Sequence, residues 1–418
     1  MDPAQTRQVE PLPWKPLASL LLSMFSIALG YSIILPILPS LVERLASTSD
    51  AARLSQHTGL LMGVYMLAIF LFAPIWGKVS DRFGRRLAIL LGLGGFAIVT
   101  VGSSLIDSLP GLYFGRFFAG LFSSAVAPAS YALVGDHAPS REWRAHHYTL
   151  LNIAGTAGFL VGPLLGATAF SSAQAMFMGR GGASLLAPSL ATSVLAIAAG
   201  LSVWRLLPTA ASASQNAGAQ VQPPYSRAVI VRLLGISFTT ALAVGAFEVG
   251  LALRGKEVLG MDAYRIGMMF AECSLIMFLV QAVVFSPLVK PDSTRWLIAP
   301  ALIALAGGLF AVPLTTSYIP MTIAVAVVAA AAGVLSPIAV YWISVTAGEK
   351  QGTELGFQTA AASLGQTIGS ALGGLLFSQT VIPNASFTLA ATAVVVSLAT
   401  SPRLARQLIA SPKVMLHL

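Results

Sequence analysis

Arg116, Glu248 and Glu272 are ionisable side chains set inside long apolar runs. A charge in such a run costs at least about 2.5 kcal/mol if the run lies in hydrocarbon, so each is a functional candidate by default. The chemistry open to an acid and a cation in that setting is proton loading and release. Burial favours a neutral carboxyl, and a neighbouring guanidinium favours a carboxylate. Glu248 shares a helix face with Thr240 and Val244 at i, i+4 spacing, with Ala241 and Gly245 close by. That small, partly polar face suits a cavity wall. Glu272 has Met268, Leu275 and Ile276 around it, a more apolar face. Glu248 is therefore preferred over Glu272 as a proton carrier; a structural hydrogen bond to a neighbouring helix is the alternative for either. Arg116 lies about six residues, or roughly 9 Å, from the end of its run. It can snorkel to the surface, or it can face a polar path and tune an acid or an anion.

Other chemistries find no support. The sequence holds no HExxH, no GxSxG and no paired Asp/His cluster, so an enzyme is not expected. Cys273 is the single cysteine and lies in an apolar run, which leaves no intrachain disulfide and no cysteine-based metal site. No cofactor and no metal are expected. The net charge of +9 does not mark a nucleic-acid binder, because the basic residues are spread over short connectors instead of forming one patch.

What must position these side chains follows from composition. Of 418 residues, 56% are hydrophobic and 9% charged, against about 25% charged in soluble domains. Runs of about 20 apolar residues can each cross a bilayer. The length rule gives twelve, at 16–42, 57–77, 86–106, 110–134, 147–170, 184–206, 228–252, 265–289, 295–315, 318–345, 354–378 and 383–401. In lipid every backbone polar group must be paired within the chain, so spans this long are helices. The polar stretch Met1 to Trp14 and the long run after it predict a retained span, not a cleaved signal peptide. Of the 24 Lys and Arg, 17 fall on one side of this arrangement and six on the other, with Arg116 inside a span. That bias predicts both termini in the cytoplasm.

The longest hydrophilic interruption is Pro208 to Arg227, rich in Ala, Ser, Gln, Gly and Pro like a flexible linker. It divides the chain into residues 1–207, a linker 208–227, and residues 228–418. The halves echo each other. Span five carries Gly155, Gly158, Gly162, Pro163 and Gly166, and span eleven carries Gly365, Gly369, Gly373 and Gly374. Small residues at that spacing let helices approach closely.

The connector Gly77-Lys78-Val79-Ser80-Asp81-Arg82-Phe83-Gly84-Arg85-Arg86 crowds four basic side chains and an acid between spans two and three. Basic residues there serve to orient a span, but Asp81 adds nothing to an orientation signal. Gly77, Asp81, Arg82, Gly84, Arg85 and Arg86 at this spacing resemble motif A of the major facilitator superfamily. Tyr113-Phe-Gly115-Arg116-Phe-Phe-Ala-Gly120 in span four resembles its motif B. The span-five glycines with Pro163 resemble motif C, which marks exporters, drug/proton antiporters above all. The Tyr31-Ser-x-x-Leu-Pro-x-Leu-Pro39 pattern resembles span one of that group. The chain departs from the best-known multidrug members in having no acid in span one, which offers Tyr31, Ser32, Pro36 and Pro39 instead.

The resemblance implies an all-α integral membrane protein of twelve helices in two pseudo-symmetric six-helix halves. It implies that Asp81 meets the N-terminus of span eleven, that Arg85 pairs with Asp136, and that these contacts latch the halves. It implies an inner-membrane monomer whose partners are the lipid bilayer, protons and a small-molecule substrate. Proton entry would drive expulsion of a small amphipathic compound by alternating access. Export of one metabolite, such as a siderophore or lipid-like molecule, is the alternative, and proton-coupled import a more distant one. Spans one, four, seven and ten line the cavity in this fold, with five, eight and eleven beside them. Tyr31, Tyr131, Asn152, Thr156, Tyr341, Gln358 and Gln366 are then the candidate substrate contacts, though buried amides and hydroxyls also commonly hold helices together. His57, His146 and His147 fall at helix ends near the surface, where a solvated role is expected.

Overall fold

The computed structural model describes residues 11–46, 50–106, 108–177, 183–207, 227–284, 289–346, 351–377 and 385–408. The described residues form helices and connecting turns only, grouped into twelve successive units. Ten are by themselves long and apolar enough to cross a membrane, and the last unit contributes a shorter apolar stretch, Ala385–Ala399. The first unit is Trp14–Ser32, where Lys15 and four serines dilute the apolar run. Its Ser19, Ser23 and Ser26 hydroxyls are all buried and turn back to backbone carbonyls of their own helix, which keeps them paired away from water.

Span one is broken. A turn over residues 33–37 separates Trp14–Ser32 from a short helix, Leu38–Leu45. Pro36 lacks the N–H that would continue the ladder, and its ring disfavours a helical residue before it. Span two is Ala51–Phe83, started by the Asp50 carboxylate accepting from Ala52 N–H at 3.0 Å. It stops at Gly84, whose φ of 98° is open to glycine and strained for other residues. The chain therefore turns at once into span three, Arg85–Ser104. Span four breaks between Leu109–Ser123 and Val126–Asp136, where Pro128 cannot donate to the carbonyl of Ser124 four residues back.

Spans five and six are Arg141–Phe177 and Ala183–Leu206. Span seven is Arg227–Leu253, ending in a π-helical turn over Arg254–Val258. Span eight is Ala263–Val284, and span nine is Ile298–Ala311 with 3-10 turns at each end. Spans ten, eleven and twelve are Tyr318–Thr346, Gln351–Phe377 and Ala385–Gln407. Several helices overrun the lengths expected from hydropathy. Span two was expected over 57–77 and is helical over 51–83; span five was expected over 147–170 and is helical over 141–177. The apolar count marks only the part matched to hydrocarbon, and the polar turns beyond it keep their helical hydrogen bonds.

The packing is two-fold in pattern. Span one packs on five, two on four, and three on six; span seven packs on eleven, eight on ten, and nine on twelve. Adding six to each member of a first-half pair gives the second-half pair. The contacts between halves obey the same rule, because spans two and eleven meet as spans eight and five do. These are the two pseudo-symmetric six-helix halves of an integral membrane fold. The linker expected over 208–227 lies, up to residue 226, outside the described residues.

Candidate functional site

The first cluster forms around Glu248, where side chains of spans one, two, four, seven and eleven meet. Span seven presents Glu248 at 6% exposure, and its Oε2 accepts two hydrogen bonds at 3.0 Å. One comes from the Tyr31 hydroxyl at the end of Trp14–Ser32, the other from the Gln366 amide on span eleven. Tyr31 belongs to the first half of the molecule, so this carboxylate is held from both halves. The Gln366 amide also lies 3.4 Å from the Tyr31 oxygen, closing a triangle.

Arg116 completes the cluster from span four without touching the carboxylate. Its guanidinium carbon sits 5.1 Å from the Tyr31 ring centroid and 4.6 Å from that of Tyr65 on span two. The side chain is 5% exposed. Its Nε donates to the Leu61 carbonyl at a long 3.5 Å, and Nη2 has no hydrogen-bond partner among the described residues. Two desolvated ring faces are each worth up to about 2 kcal/mol to a cation. The cost of burying an unpaired ion is several kcal/mol, so Arg116 is held but not satisfied. The Tyr65 hydroxyl is anchored on Ser123 Oγ at 2.8 Å, and the Tyr31 ring leans on Tyr65 and Phe159 at 4.9 and 5.9 Å between centroids.

Glycines let these helices come together. On span five, a methyl group at Gly158 would overlap the Phe25 carbonyl, at Gly162 the Ser32 hydroxyl, and at Gly166 the Ile33 carbonyl. Their absent side chains seat span one, and hence Tyr31, directly on span five. Gly155 does not belong to that surface: no described residue lies within 4 Å of where its Cβ would be. On span eleven, Gly365 and Gly369 give the same clearance to the carbonyls of Phe238 and Leu242 on span seven. Pro163 stands inside span five beside Gly162.

A second cluster forms at the connector. Asp81 Oδ2 accepts from the Thr353 backbone N–H at 2.9 Å and from its hydroxyl at 2.6 Å, in the first turn of span eleven. A carboxylate at a helix N-terminus is favoured by the exposed N–H groups and the helix dipole. Arg85 pairs with Asp81 and, through Nε, with Asp136 Oδ2 at 3.1 Å; its Nη1 also reaches Ser80 Oγ at 2.8 Å. Gly77 leaves room for the Gly352 backbone of span eleven. Arg82 is exposed over the Phe83 ring, and Arg86 donates to the Trp204 carbonyl on span six, inside its own half. Among the described residues, neither of those two arginines makes a bond between halves.

The remaining expected residues separate into other groups. Tyr131 packs edge-on against Tyr148, with centroids 5.1 Å apart. The Tyr148 hydroxyl meets the Tyr131 carbonyl at 2.9 Å and Ser344 Oγ at 2.7 Å, and Asn152 donates to the Tyr148 carbonyl at 3.0 Å. Arg144 donates to the Ser344 carbonyl at 3.1 Å, so spans five and ten are tied across the halves here. Thr156 reaches Gln281 on span eight at 3.2 Å. Gln358 makes a long 3.5 Å contact to Ser237 within the second half, and Tyr341 lies edge-on to Trp342 at 5.4 Å between centroids. Of the seven candidate contacts, Tyr31 and Gln366 are the two at Glu248. Glu272 is half-buried on span eight, apart from this triangle. His57 meets the Tyr113 hydroxyl at 3.0 Å, while His147 stacks on Trp143 at 3.6 Å and His146 lies edge-on to it at 5.5 Å.

At the opposite end from the connector, Lys256 in the π-helical turn meets Glu43 of Leu38–Leu45 at 2.6 Å, another bond between halves. Sequence reasoning missed Tyr65, Thr353, Arg144, Gln281 and this ion pair. Tyr65 reads as one more aromatic in an apolar run, and Thr353 as an ordinary first-turn residue. Only the pairing of helices reveals their partners.

The Major Facilitator Superfamily model matches residues 20–321. The chain is 26% identical over 368 residues to Multidrug resistance protein 2 of Bacillus subtilis (strain 168), spanning 87% of this chain and 88% of that protein. It is 28% identical over 315 residues to the class D tetracycline resistance protein of Salmonella ordonez, covering 68% of this chain and 76% of the relative. The crystal structure of the human organic anion transporter MFSD10 (TETRAN) superposes with a TM-score of 0.75 at 19% identity, over 93% of this chain and 100% of that one, a likeness of fold. With a family model matching well over half its length, and with the paired six-helix halves described above, the chain belongs to the Major Facilitator Superfamily, a carrier and not an enzyme.

Proposed function

We propose that the protein is a proton-coupled exporter of small amphipathic compounds that works by alternating access. It acts as a monomer in a bacterial-type inner membrane, with the charged connector and both termini on the cytoplasmic side. The observation that carries this reading is the Glu248 triangle: one buried carboxylate, held by Tyr31 from one half and Gln366 from the other. A group in that position responds to any movement between halves, and its proton decides how strongly the two donors hold it. Charge-assisted hydrogen bonds are roughly twice as strong as neutral ones, so protonation of Glu248 loosens the tie between halves and deprotonation tightens it.

The direction of transport rests on kinship and on span five. The relatives named above are multidrug and tetracycline resistance proteins, and the glycines that seat span one lie beside Pro163. The test is efflux of a panel of preloaded lipophilic cations, neutral drugs and tetracycline from cells producing the protein. Efflux that needs the protein, stops with a protonophore and is lost in Glu248→Gln is the expected result. Efflux unchanged by the protonophore would remove the proton from the reading. Silence across the whole panel would remove the broad substrate class.

A further inference from the structure

Arg116 is a buried cation placed one aromatic ring away from a buried acid. The Tyr31 hydroxyl bonds Glu248, while the face of the same ring holds the Arg116 guanidinium. Tyr65 covers that guanidinium from span two and is itself fixed by Ser123. The two charges therefore stand close without forming an ion pair, and Nη2 of Arg116 remains without a hydrogen-bond partner among the described residues. A free guanidinium near a carboxylate in a low-dielectric site closes to a bidentate pair unless something holds it.

We propose that the rings of Tyr31 and Tyr65 form an aromatic clamp that keeps Arg116 beside Glu248 but off it, making Tyr65 a positioning residue for proton exchange at Glu248. The inference rests on the reading of Glu248 as the proton carrier. Held at this distance, Arg116 lends the carboxylate a fixed field. Released, it collapses onto the carboxylate and competes with the incoming proton. The clamp works through ring faces, and the Tyr65 ring is held by the Tyr31 ring at 4.9 Å between centroids as well as by its bond to Ser123, so the Tyr65 hydroxyl is dispensable for the clamp, whereas the Tyr31 hydroxyl is a separate, direct contact to Glu248.

Few other titratable groups meet Glu248. Span eight carries Cys273 and the half-buried Glu272. Span eleven brings the neutral Gln366, and its one titratable side chain, Glu354, lies in its first turn at the connector end. Span ten carries titratable side chains only at Tyr318 and Tyr341, and span twelve only at Arg403 and Arg406. Span nine and its leading turn carry Asp292 and Arg295 at the connector end. Arg116 is thus the cation whose placement governs Glu248.

The experiment is the pH profile of substrate-driven proton release in vesicles for wild type, Tyr65→Phe and Tyr65→Leu, with protein amount and thermal stability measured alongside. Tyr65→Phe should keep the wild-type profile. Tyr65→Leu should move the midpoint to lower pH by about one unit, the effect of a cation closing on a carboxylate. Substitution of Arg116 by Gln in the Tyr65→Leu background should abolish that acid shift, since no cation remains to collapse. An unmoved or alkaline-shifted profile in Tyr65→Leu, or an acid shift already present in Tyr65→Phe, would overturn the clamp. If Tyr65→Leu does not fold, Tyr65→Met gives the same comparison with the volume better kept. Wild type that releases no protons would overturn the underlying coupling instead, so the two failures are distinct.

Discussion

Asp81 and Thr353 join the two halves at the connector end: one carboxylate oxygen accepts from both the backbone N–H and the hydroxyl of Thr353, at 2.9 and 2.6 Å. Arg85 stands behind it, shared between Asp81 and Asp136. If this is a latch that must open and re-form in each cycle, its loss should slow transport while leaving the fold intact. Asp81→Asn keeps the shape and removes the charge that the helix N-terminus favours. We expect a several-fold to tenfold loss of transport, about 1 kcal/mol or slightly more, at normal protein level. Thr353→Val should act in the same direction, and Arg85→Ala more strongly because it strands two carboxylates. Unchanged turnover in all three, with normal expression, would end the latch reading.

The span-five glycines give a graded prediction. Gly158, Gly162 and Gly166 each meet span-one backbone or side chain, and Gly155 meets nothing. Overpacking typically costs 1–3 kcal/mol. Gly166→Val should therefore lower the melting temperature in detergent and cut transport, whereas Gly155→Ala should be close to wild type in both. Equal sensitivity at the two positions would mean that the seat of span one is not what these glycines provide.

Glu43 and Lys256 offer a test at the opposite end. Their side chains are 48% and 22% exposed, so the pair is worth at most about 1 kcal/mol to stability. Its value lies in bridging the halves. Glu43→Lys should reduce transport by repelling Lys256, and the exchanged pair Glu43→Lys with Lys256→Glu should recover most of it. A stronger check uses Glu43→Cys with Lys256→Cys, after replacing the sole cysteine by Cys273→Ser, and joins the two thiols with a short bifunctional methanethiosulfonate. Cross-linking should arrest transport and reductant should restore it. Full activity of the cross-linked protein would show that this end need not open.

Glu272 separates a coupling acid from a merely embedded one. It sits half-buried outside the triangle of Tyr31, Gln366 and Glu248. Glu272→Gln should retain at least about half of wild-type transport, and Glu248→Gln almost none. The reverse pattern would move the proton to span eight.

How far the sequence already spoke can be seen residue by residue. The twelve units were legible because lipid forces helices of a certain length, and Glu248 stood out because a charge in such a run needs a reason. Its preference over Glu272 followed from the face it shares with Thr240 and Val244, with Ala241 and Gly245 close by. The partners were not legible. Nothing local links Tyr31 to a carboxylate 217 positions later, and Tyr65 carries no mark that sets it apart from packing aromatics. Helix ends were also beyond reach: the π-helical turn that carries Lys256 to Glu43 has no apolar signature. Arg82 and Arg86 show the limit of reading by motif. They share the connector with Asp81 and Arg85, yet one faces out and the other ties span three to span six. Gly155 likewise shares its spacing with the packed glycines and not their surface.

The most direct measurement of the central claim is proton release from energised inside-out vesicles containing the protein, followed with a pH-sensitive dye as candidate substrates are added one at a time. Respiration acidifies the vesicle interior, so an antiporter that carries substrate inward must let protons out. Release is expected on addition of at least one amphipathic compound, absent in vesicles without the protein and absent in Glu248→Gln at equal protein level. Substrate uptake that proceeds without proton release, or release that persists undiminished in Glu248→Gln, would contradict it.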